Sequence, residues 1–570
     1  MDWMGKYNFW CKNEYFDEKT KKELQNIQGN EKEIEDRFYK ELEFGTGGLR
    51  GVLGAGSNRM NIYTVRKATQ GLANYILKSD GNKKVAIAYD SRHMSPEFAE
   101  EAALCLNANG IETYRFASLR PTPELSFAVR YLKCIAGIVI TASHNPSEYN
   151  GYKVYWKDGG QITPPLDREI ITEVNAILDF SKVKTIDKER AISSGLYHTI
   201  SDKIDTAYIN AVKECGFNRD LVRKHGGDIK IVYTPLHGAG NFPVRRILKE
   251  IGFKNVFVVP EQELPDGDFP TVSYPNPEDP KAFELAIKYA KQKKADIVMA
   301  TDPDADRLGI YVKNAEGEYT PLTGNMSGMI IGEYILSQRK ERGLLPDNGA
   351  LVSTIVTTDM AKVMAKEYNV KFIETLTGFK YIGEQIKKFE EDHSYQYMFG
   401  LEESYGCLVG TYARDKDAVA AVMMVAEAAV YYMQKGLNLC EQLEVMYKKY
   451  GYFKEELVTK TLKGLEGKKE IDSLMMKLRN DPPKFIGSFA VEKIRDYKKG
   501  KICNIKSGDC IDAGLPVSNV LYFELSNGAW CCVRPSGTEP KIKYYIGTVA
   551  DNHEKAENGL KEIESAFLSQ

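Results

Sequence analysis

The sequence is poor in cysteine, with ten in 570 residues and no CxxC pair. Neither a disulfide framework nor a thiolate zinc site is expected. Charge of one sign is not in excess: 77 Lys and Arg stand against 79 Asp and Glu, a net charge of -2. A dedicated nucleic-acid binder carries a basic excess, so nucleic acid is not an expected partner. The most hydrophobic run, Ala418 to Met433, is shorter than the roughly 20 apolar residues a bilayer requires and has Glu427 in its middle. A buried helix is expected there and no membrane contact. The N-terminus MDWMGKYNFWCKNEYFDEKT has no basic head followed by an apolar stretch. No secretory signal is read, and the cytoplasm is the default compartment. GxxxxGK[ST] is absent, which disfavours an ordinary P-loop ATPase. The glycine-rich FGTGGLRG follows a helical pattern rather than a strand, so it is no dinucleotide fingerprint.

The chain does have the composition of a folded protein, 43% apolar and 27% charged. At about 150 residues per domain its length predicts three to four domains. The first 45 residues read as helical, with Ile34, Phe38 and Leu42 on one face. Six glycines from Gly45 to Gly56 then break the pattern. They permit either a surface turn or a close backbone approach.

A coarse repeat follows. Its three units start at KVAIAYDSRHMSPEF, IKIVYTPLHGAGNF and ALVSTIVTTDMAK. Each reads strand, helix, strand, helix, strand, then a polar motif. The continuous apolar runs IVYT, VFVV and DIVMA suit strands covered on both faces by helices. Ligands of such sheets sit outside the C-terminal strand ends. The polar motifs fall there, beginning at Thr141, Thr301 and Gly400. From Gly487 the pattern changes to short antiparallel strands and a charged helix. Residues 456–490 are charge-rich and connect or extend the third unit.

Thr301-Asp-Pro-Asp-Ala-Asp-Arg307 sets Asp302, Asp304 and Asp306 at alternate positions, where three carboxylates can converge on a hard cation such as magnesium. The competing reading is a solvated acidic turn. An EF-hand fits poorly, with Arg307 at its glycine position and Lys313 at its last ligand position. Arg307 beside the site is useful only for a ligand with anionic oxygens. Thr141-Ala-Ser-His-Asn-Pro146 follows the strand IAGIVI. Thr141, Ser143 and Ser147 are its candidate hydroxyls, and His144 can shuttle a proton, bind phosphate or be an ordinary surface histidine. There is no GxSxG elbow. Arg534-Pro-Ser-Gly-Thr-Glu-Pro-Lys541 has the inventory of a phosphate-holding nest, against a plain turn. In Gly400-Leu-Glu-Glu-Ser-Tyr-Gly406, Glu402 and Ser404 face one way if the segment is extended and could grip sugar hydroxyls. Lys416 could transfer protons if its neighbours depress its pKa. Arg50 and Lys153 face either phosphate or water. Thr377-Gly378 and His237-Gly238 lie in loops after strands, and Thr377 and Gly378 are taken as substrate contacts.

Taken together and in this order, TASHNP, TDPDADR, GLEESYG and RPSGTEPK resemble the alpha-D-phosphohexomutases. The opening FGTGGLRG and the length are similar to their long phosphoglucomutase/phosphomannomutase branch, which includes phosphopentomutases. The resemblance spans nearly the whole chain. It implies three related α/β domains with mixed sheets and a smaller C-terminal α+β domain around a central cleft. Here these are taken as residues 1–205, 206–324, 325–486 and 487–570. By motif match Ser143 carries a phosphoserine. Asp302, Asp304 and Asp306 bind Mg2+ together with a phosphoserine oxygen. Glu402 and Ser404 read the sugar, and Arg534, Ser536, Gly537 and Thr538 clamp the distal phosphate. Arg50, His144, Lys153 and Arg307 give electrostatic or proton-transfer support, with Lys416 as general base. Leu401 and Tyr405 depart from the commoner GEESFG, and Pro303 and Ala305 from DGDGDR, but every carboxylate is kept.

The implied activity interconverts glucose 1-phosphate and glucose 6-phosphate through glucose 1,6-bisphosphate, both intermediate and activator. Alternatives are a phosphomannomutase or phosphopentomutase, a magnesium-dependent sugar phosphatase, and a non-catalytic sugar-phosphate sensor. A sugar phosphate is the expected partner, and monomer and dimer are both left open.

Overall fold

The computed structural model describes residues 1–45, 47–462, 464–536 and 541–570. The chain divides into two compact units, Met1–Gln338 with Phe379–Asn438, and Arg339–Gly378 with Leu439–Gln570.

The first unit opens on helices Trp3–Lys12, Glu18–Asn26 and Glu31–Phe38, capped by the side chains of Asp2, Asp17 and Asn30. Ile34 and Phe38 are buried as expected, but the helix stops at Phe38 and Leu42 lies beyond it. The Leu42 N–H donates to Ser57 O (2.7 Å) instead of to the preceding turn.

The first sheet contains β1 (Gly48–Val52), β2 (Lys84–Tyr89), β3 (Glu112–Phe116), β4 (Ala136–Ile140), β5 (Tyr149–Trp156) and β6 (Tyr197–Ile200), in the order β1-β5-β4-β2-β3-β6. The four strands β4, β2, β3 and β6 run parallel, β5 is antiparallel to β4, and β1 is in turn antiparallel to β5. β4 is buried throughout and β2 nearly so, as continuous apolar runs between helical layers should be. The glycine-rich segment becomes β1, and at Gly48 the close-approach reading holds. A Cβ there would lie 1.8 Å from Tyr152 O.

The second sheet repeats this plan with β7 (Lys230–Thr234), β8 (Asn255–Val258), β9 (Ile297–Thr301), β10 (Leu308–Lys313) and β11 (Tyr319–Leu322), in the order β11-β10-β9-β7-β8. Again the first three are parallel and the last two antiparallel. The third repeat supplies β12 (Gly349–Thr354) and β13 (Lys371–Thr375), a parallel pair within the second unit. It also supplies the hairpin β14 (Gln396–Glu402) and β15 (Gly406–Leu408) within the first. TASHNP, DPDADR and EESYG therefore occupy one topological place, the reversals β4–β5, β9–β10 and β14–β15.

The apolar helix Ala418–Met433 is buried along almost its whole length, as expected. Its Glu427 accepts from Phe217 N (2.7 Å), Asn218 N (2.9 Å) and Tyr334 Oη (2.8 Å), which satisfies the buried carboxylate. Among the described residues, no helix is long and apolar enough to cross a membrane.

The second unit ends in an antiparallel sheet whose strands run Tyr452–Thr461, Lys541–Ala550, Trp530–Pro535, Leu521–Leu525, Phe489–Asp496, Lys501–Asn504 and Cys510–Asp512 in spatial order. Alternate residues Leu521, Phe523 and Leu525, Cys531 and Val533, and Ile542, Tyr544 and Ile546 share one core with helices Gly464–Asn480 and His553–Leu568. This is the period-two pattern of a half-covered sheet. The sheet takes in Tyr452–Thr461, which pairs along its length with Lys541–Ala550, so residues read as the third unit's extension belong to it. Among the described residues one disulfide, Cys503–Cys510, joins two neighbouring strands, and the other eight cysteines are not disulfide-bonded. Cysteine density excludes a framework of such bonds but not a single hairpin staple.

Candidate active site

Ser143 lies in the turn after β4 with a left-handed backbone (φ 53°) and is 4% exposed. Its N–H is capped by Thr141 Oγ1 (2.8 Å), which gives Thr141 a structural task rather than a chemical one. Ser143 Oγ donates to Asp302 Oδ2 (2.8 Å) and stands 3.1 Å from His144 Nδ1. The serine loop and the acidic loop, on different sheets, thus meet at one hydroxyl.

Asp302, Asp304 and Asp306 are all buried, with a carboxylate oxygen of each within 4.8 Å of the others. Asp302 Oδ1 shapes the loop by accepting from Asp306 N (3.1 Å) and Arg307 N (3.0 Å). Lys153 Nζ bonds Asp304 Oδ2 (2.7 Å) and lies 3.5 Å from Asp306 Oδ2, and Lys416 Nζ is 3.2 Å from the latter. Two oxygens, Asp304 Oδ1 and Asp306 Oδ1, are buried without a hydrogen-bond partner. Orphaned carboxylate oxygens in a dry pocket are strongly unfavourable. A hard divalent cation would complete them, so this donor set fits a metal. Burial, then the two neighbouring carboxylates, push Asp302 well above the ordinary carboxylate range. Burial opposes ionisation of Asp304 too, but the Lys153 ammonium and hydrogen bonds from Lys153, Asp302 and Thr122 hold it below that range.

The neighbours of Lys416 do not depress its pKa, the condition set for proton transfer. Burial alone would lower it, but Asp306, Asp415 and Glu402 outweigh burial and raise it. Its aliphatic stem runs past Gly406, where a Cβ would lie 2.0 Å from Lys416 Cδ, so a side chain there would displace the lysine. Loss of solvation, followed by the charges of Arg307 and Arg50, pushes His144 well below its ordinary value and leaves a neutral imidazole. Arg50, on β1, donates to Asn145 Oδ1 (3.2 Å). Arg307 is ion-paired with Glu278.

Glu402 ends β14 and is buried, whereas Ser404 sits in the hairpin turn before Tyr405 (φ 64°). The extended geometry assumed for the pair is therefore replaced by a tight reversal. Tyr405 O accepts from Leu308 N (2.9 Å), which ties this turn to the strand leaving the acidic loop. In the second unit, Thr377 and Gly378 follow β13, and Arg534 lies opposite Lys543 on paired strands. The Ser536 N–H donates to Lys541 O (2.7 Å). Gly537 and Thr538 lie outside the described residues.

Several supporting groups escaped sequence reading. Thr122 donates its hydroxyl to Asp304 Oδ2 (2.8 Å) and its N–H to Asp304 O (2.9 Å). Asp415 Oδ1 lies 3.3 Å from Lys416 Nζ, and its other oxygen accepts from Tyr155 Oη (2.6 Å). The one available signal was position: Thr122, Asp415 and Tyr155 neighbour strand ends or flagged residues. His237-Gly238, singled out without a role, backs the acidic loop. A Cβ at Gly238 would lie 2.4 Å from Pro303 Cα, and Ala239 N donates to Pro303 O (2.8 Å).

Residues 41–179, 206–317 and 323–450 match domains I, II and III, each alpha/beta/alpha, of Phosphoglucomutase/phosphomannomutase. Among curated proteins, a phosphoglucomutase of Staphylococcus epidermidis is 37% identical over 539 residues, covering 94% of this chain and 96% of its own. A phosphoglucomutase of Staphylococcus aureus is 36% identical over 532 residues, covering 92% and 93%. The solved open form of the Paramecium phosphoglucomutase pp63/parafusin shares the fold with a TM-score of 0.70 at 18% identity, covering 93% of this chain and 95% of that one.

Proposed function

Because the chain belongs to the phosphoglucomutase/phosphomannomutase family of intramolecular phosphotransferases, we propose that it interconverts glucose 1-phosphate and glucose 6-phosphate through phospho-Ser143. The observation that carries this reading is Ser143 Oγ held 2.8 Å from one carboxylate of a buried triad with two unpartnered oxygens. When bound by Asp302, Asp304 and Asp306, Mg2+ would withdraw charge from the transferring phosphoryl oxygens.

In the first half-reaction the free sugar hydroxyl attacks the phosphorus on Ser143. The new P–O bond forms to the sugar, the P–Oγ bond breaks, and the hydroxyl proton passes to a base. The product is glucose 1,6-bisphosphate, which turns so that its other phosphate returns to Ser143. Lys416 in its charged form suits this return, in which the leaving sugar oxygen must be protonated. Acceptance of the proton requires the neutral amine, which the negative charge of Asp306 opposes unless a cation shares that carboxylate. Lys153, beside Asp304, and the neutral His144, beside Ser143 Oγ, are set to hold phosphoryl oxygens. Glu402 and Ser404 take the sugar hydroxyls, with Thr377 and Gly378 as further substrate contacts. Arg50, Arg307 and the Arg534–Thr538 loop supply phosphate-binding charge and donors.

Phosphorus NMR of the protein with glucose 1-phosphate, magnesium and a trace of glucose 1,6-bisphosphate tests the reading. Growth of the 6-phosphate signal without inorganic phosphate is expected. Release of inorganic phosphate would make the protein a phosphatase. An unchanged spectrum would turn the search to mannose and pentose phosphates.

A further inference from the structure

Arg92 lies in the loop after β2, beside the strand β4 that delivers Ser143, and its side chain is completely buried. Its guanidinium donates four times to the backbone of the serine loop. Nη1 reaches Pro146 O (2.7 Å) and Tyr149 O (3.1 Å). Nη2 reaches Ser143 O (2.6 Å) and Asn145 O. The remaining nitrogen, Nε, faces Asp90 Oδ2 at 3.4 Å, and Asp90 Oδ1 is fixed by Ser95 Oγ (2.7 Å) and Arg92 N (2.9 Å). One side chain thus holds the carbonyls on both sides of the turn in which Ser143 sits with a left-handed backbone. Such a conformation persists in a non-glycine residue only when its surroundings impose it.

A second observation comes from a different stretch of chain. The Phe269 ring, 1% exposed, lies 5.0 Å from the centre of the Arg92 guanidinium and supports it from the side of the second repeat. Thr271, two residues on, is held by His237 Nε2 (2.9 Å), next to the Gly238 that backs the acidic loop. The serine loop and the acidic loop are therefore anchored through one chain of contacts, from Arg92 through Phe269 and Thr271 to His237.

We propose that Arg92, seated on Phe269, is the positioning residue that fixes the Ser143 backbone and so aims its phosphorylated oxygen at the acidic triad. This rests on the reading of Ser143 as the phosphate carrier. A lysine cannot replace it, since three donors on one nitrogen cannot span four carbonyls fixed by a planar fork.

The test separates positioning from mere stability. Wild type, Arg92→Lys and Phe269→Leu are incubated with glucose 1,6-bisphosphate, and phosphate on Ser143 is counted by peptide mass spectrometry. Each is then mixed rapidly with glucose 1-phosphate, and transfer is expressed per phosphorylated site. A misplaced reacting atom should slow Arg92→Lys transfer about 100-fold with KM changed less than about threefold. A purely structural role would lower the labelled fraction and the melting temperature but leave the per-site rate near wild type. A folded Arg92→Lys protein with a wild-type per-site rate overturns the proposal. If Arg92→Lys does not fold, Phe269→Leu decides, with about tenfold slower transfer expected and an unchanged rate overturning the proposal. A wild-type protein that takes no phosphate on Ser143 overturns the nucleophile reading itself, and this inference with it.

Discussion

Two clusters of charge, one in each unit, differ in burial and in balance. In the first unit Asp302, Asp304, Asp306 and Asp415 face Lys153 and Lys416, and two of the carboxylate oxygens have no hydrogen-bond partner. In the second, Asp359, Glu374 and Glu524 face Lys362, Arg495 and Lys493. None of those atoms is both buried and unpartnered among the described residues. Arg495 further stacks on Tyr522 (4.6 Å) and joins the C-terminal sheet to β13 through Glu374 (3.0 Å). The first is buried and the second only partly so, and both perturb pKa values. Only the first is left incomplete, and incompleteness marks a place that awaits a ligand.

Substitutions can break or sharpen this contrast. Ser143→Ala, at the edge of the incomplete cluster, should abolish mutase turnover by on the order of 10⁴-fold or more while circular dichroism stays native. Full-rate turnover would end the nucleophile assignment. Asp304→Asn should raise the magnesium concentration for half-maximal activity about 100-fold, and an unchanged titration curve would remove the loop from the metal site. Stability should respond with opposite signs in the two clusters. In chelator-treated protein, Asp302→Asn replaces a carboxyl whose charge burial and its neighbours already disfavour, and should be at least as stable as wild type. Glu374→Gln removes the carboxylate that Lys362 and Arg495 share, leaving each with one other partner, and should cost about 1 kcal/mol by urea denaturation. Equal losses would erase the contrast.

Glu402→Gln should raise KM for glucose 1-phosphate about tenfold and leave phosphoserine formation within about twofold. Equal loss of both would make Glu402 structural. The smallest effect concerns pH. Burial opposes the Glu374 charge, but Lys362 and Arg495 prevail and hold its folded pKa below the unfolded value. Its contribution is therefore present above the unfolded pKa and is lost as pH falls through the folded one. The stability gap between wild type and Glu374→Gln should accordingly shrink between about pH 5 and pH 3. A gap constant over that window would show that the carboxylate's charge contributes nothing.

The repeats and their motifs were legible because apolar strand runs and the polar turns that follow them are local in sequence. The same locality explains the omissions. Strand Tyr452–Thr461 carries KEELVTK with most of its side chains in solvent, so its composition reads as linker until its partner Lys541–Ala550 is known. Whether neighbours lower or raise the pKa of Lys416 was not legible, because Asp306, which raises it, comes from another strand end. Thr122 and Arg92 belong to no recognised motif: Arg92 reaches the serine loop because β2 and β4 are adjacent parallel strands, and Thr122 reaches the acidic loop from a different sheet. Ser404 was misplaced by a single assumption, extension through a stretch that turns.

The first unit is discontinuous in sequence, and this matters during synthesis. A ribosome delivers Ser143, Lys153 and all three aspartates before residue 338, then makes a segment of the other unit, and only afterwards returns to the first with Glu402, Asp415 and Lys416. The Ala418 N–H that bonds Ala305 O (3.2 Å) arrives with that last piece. The emerging polypeptide thus carries its acidic triad with one lysine out of two, and the centre matures only when the chain doubles back to close it.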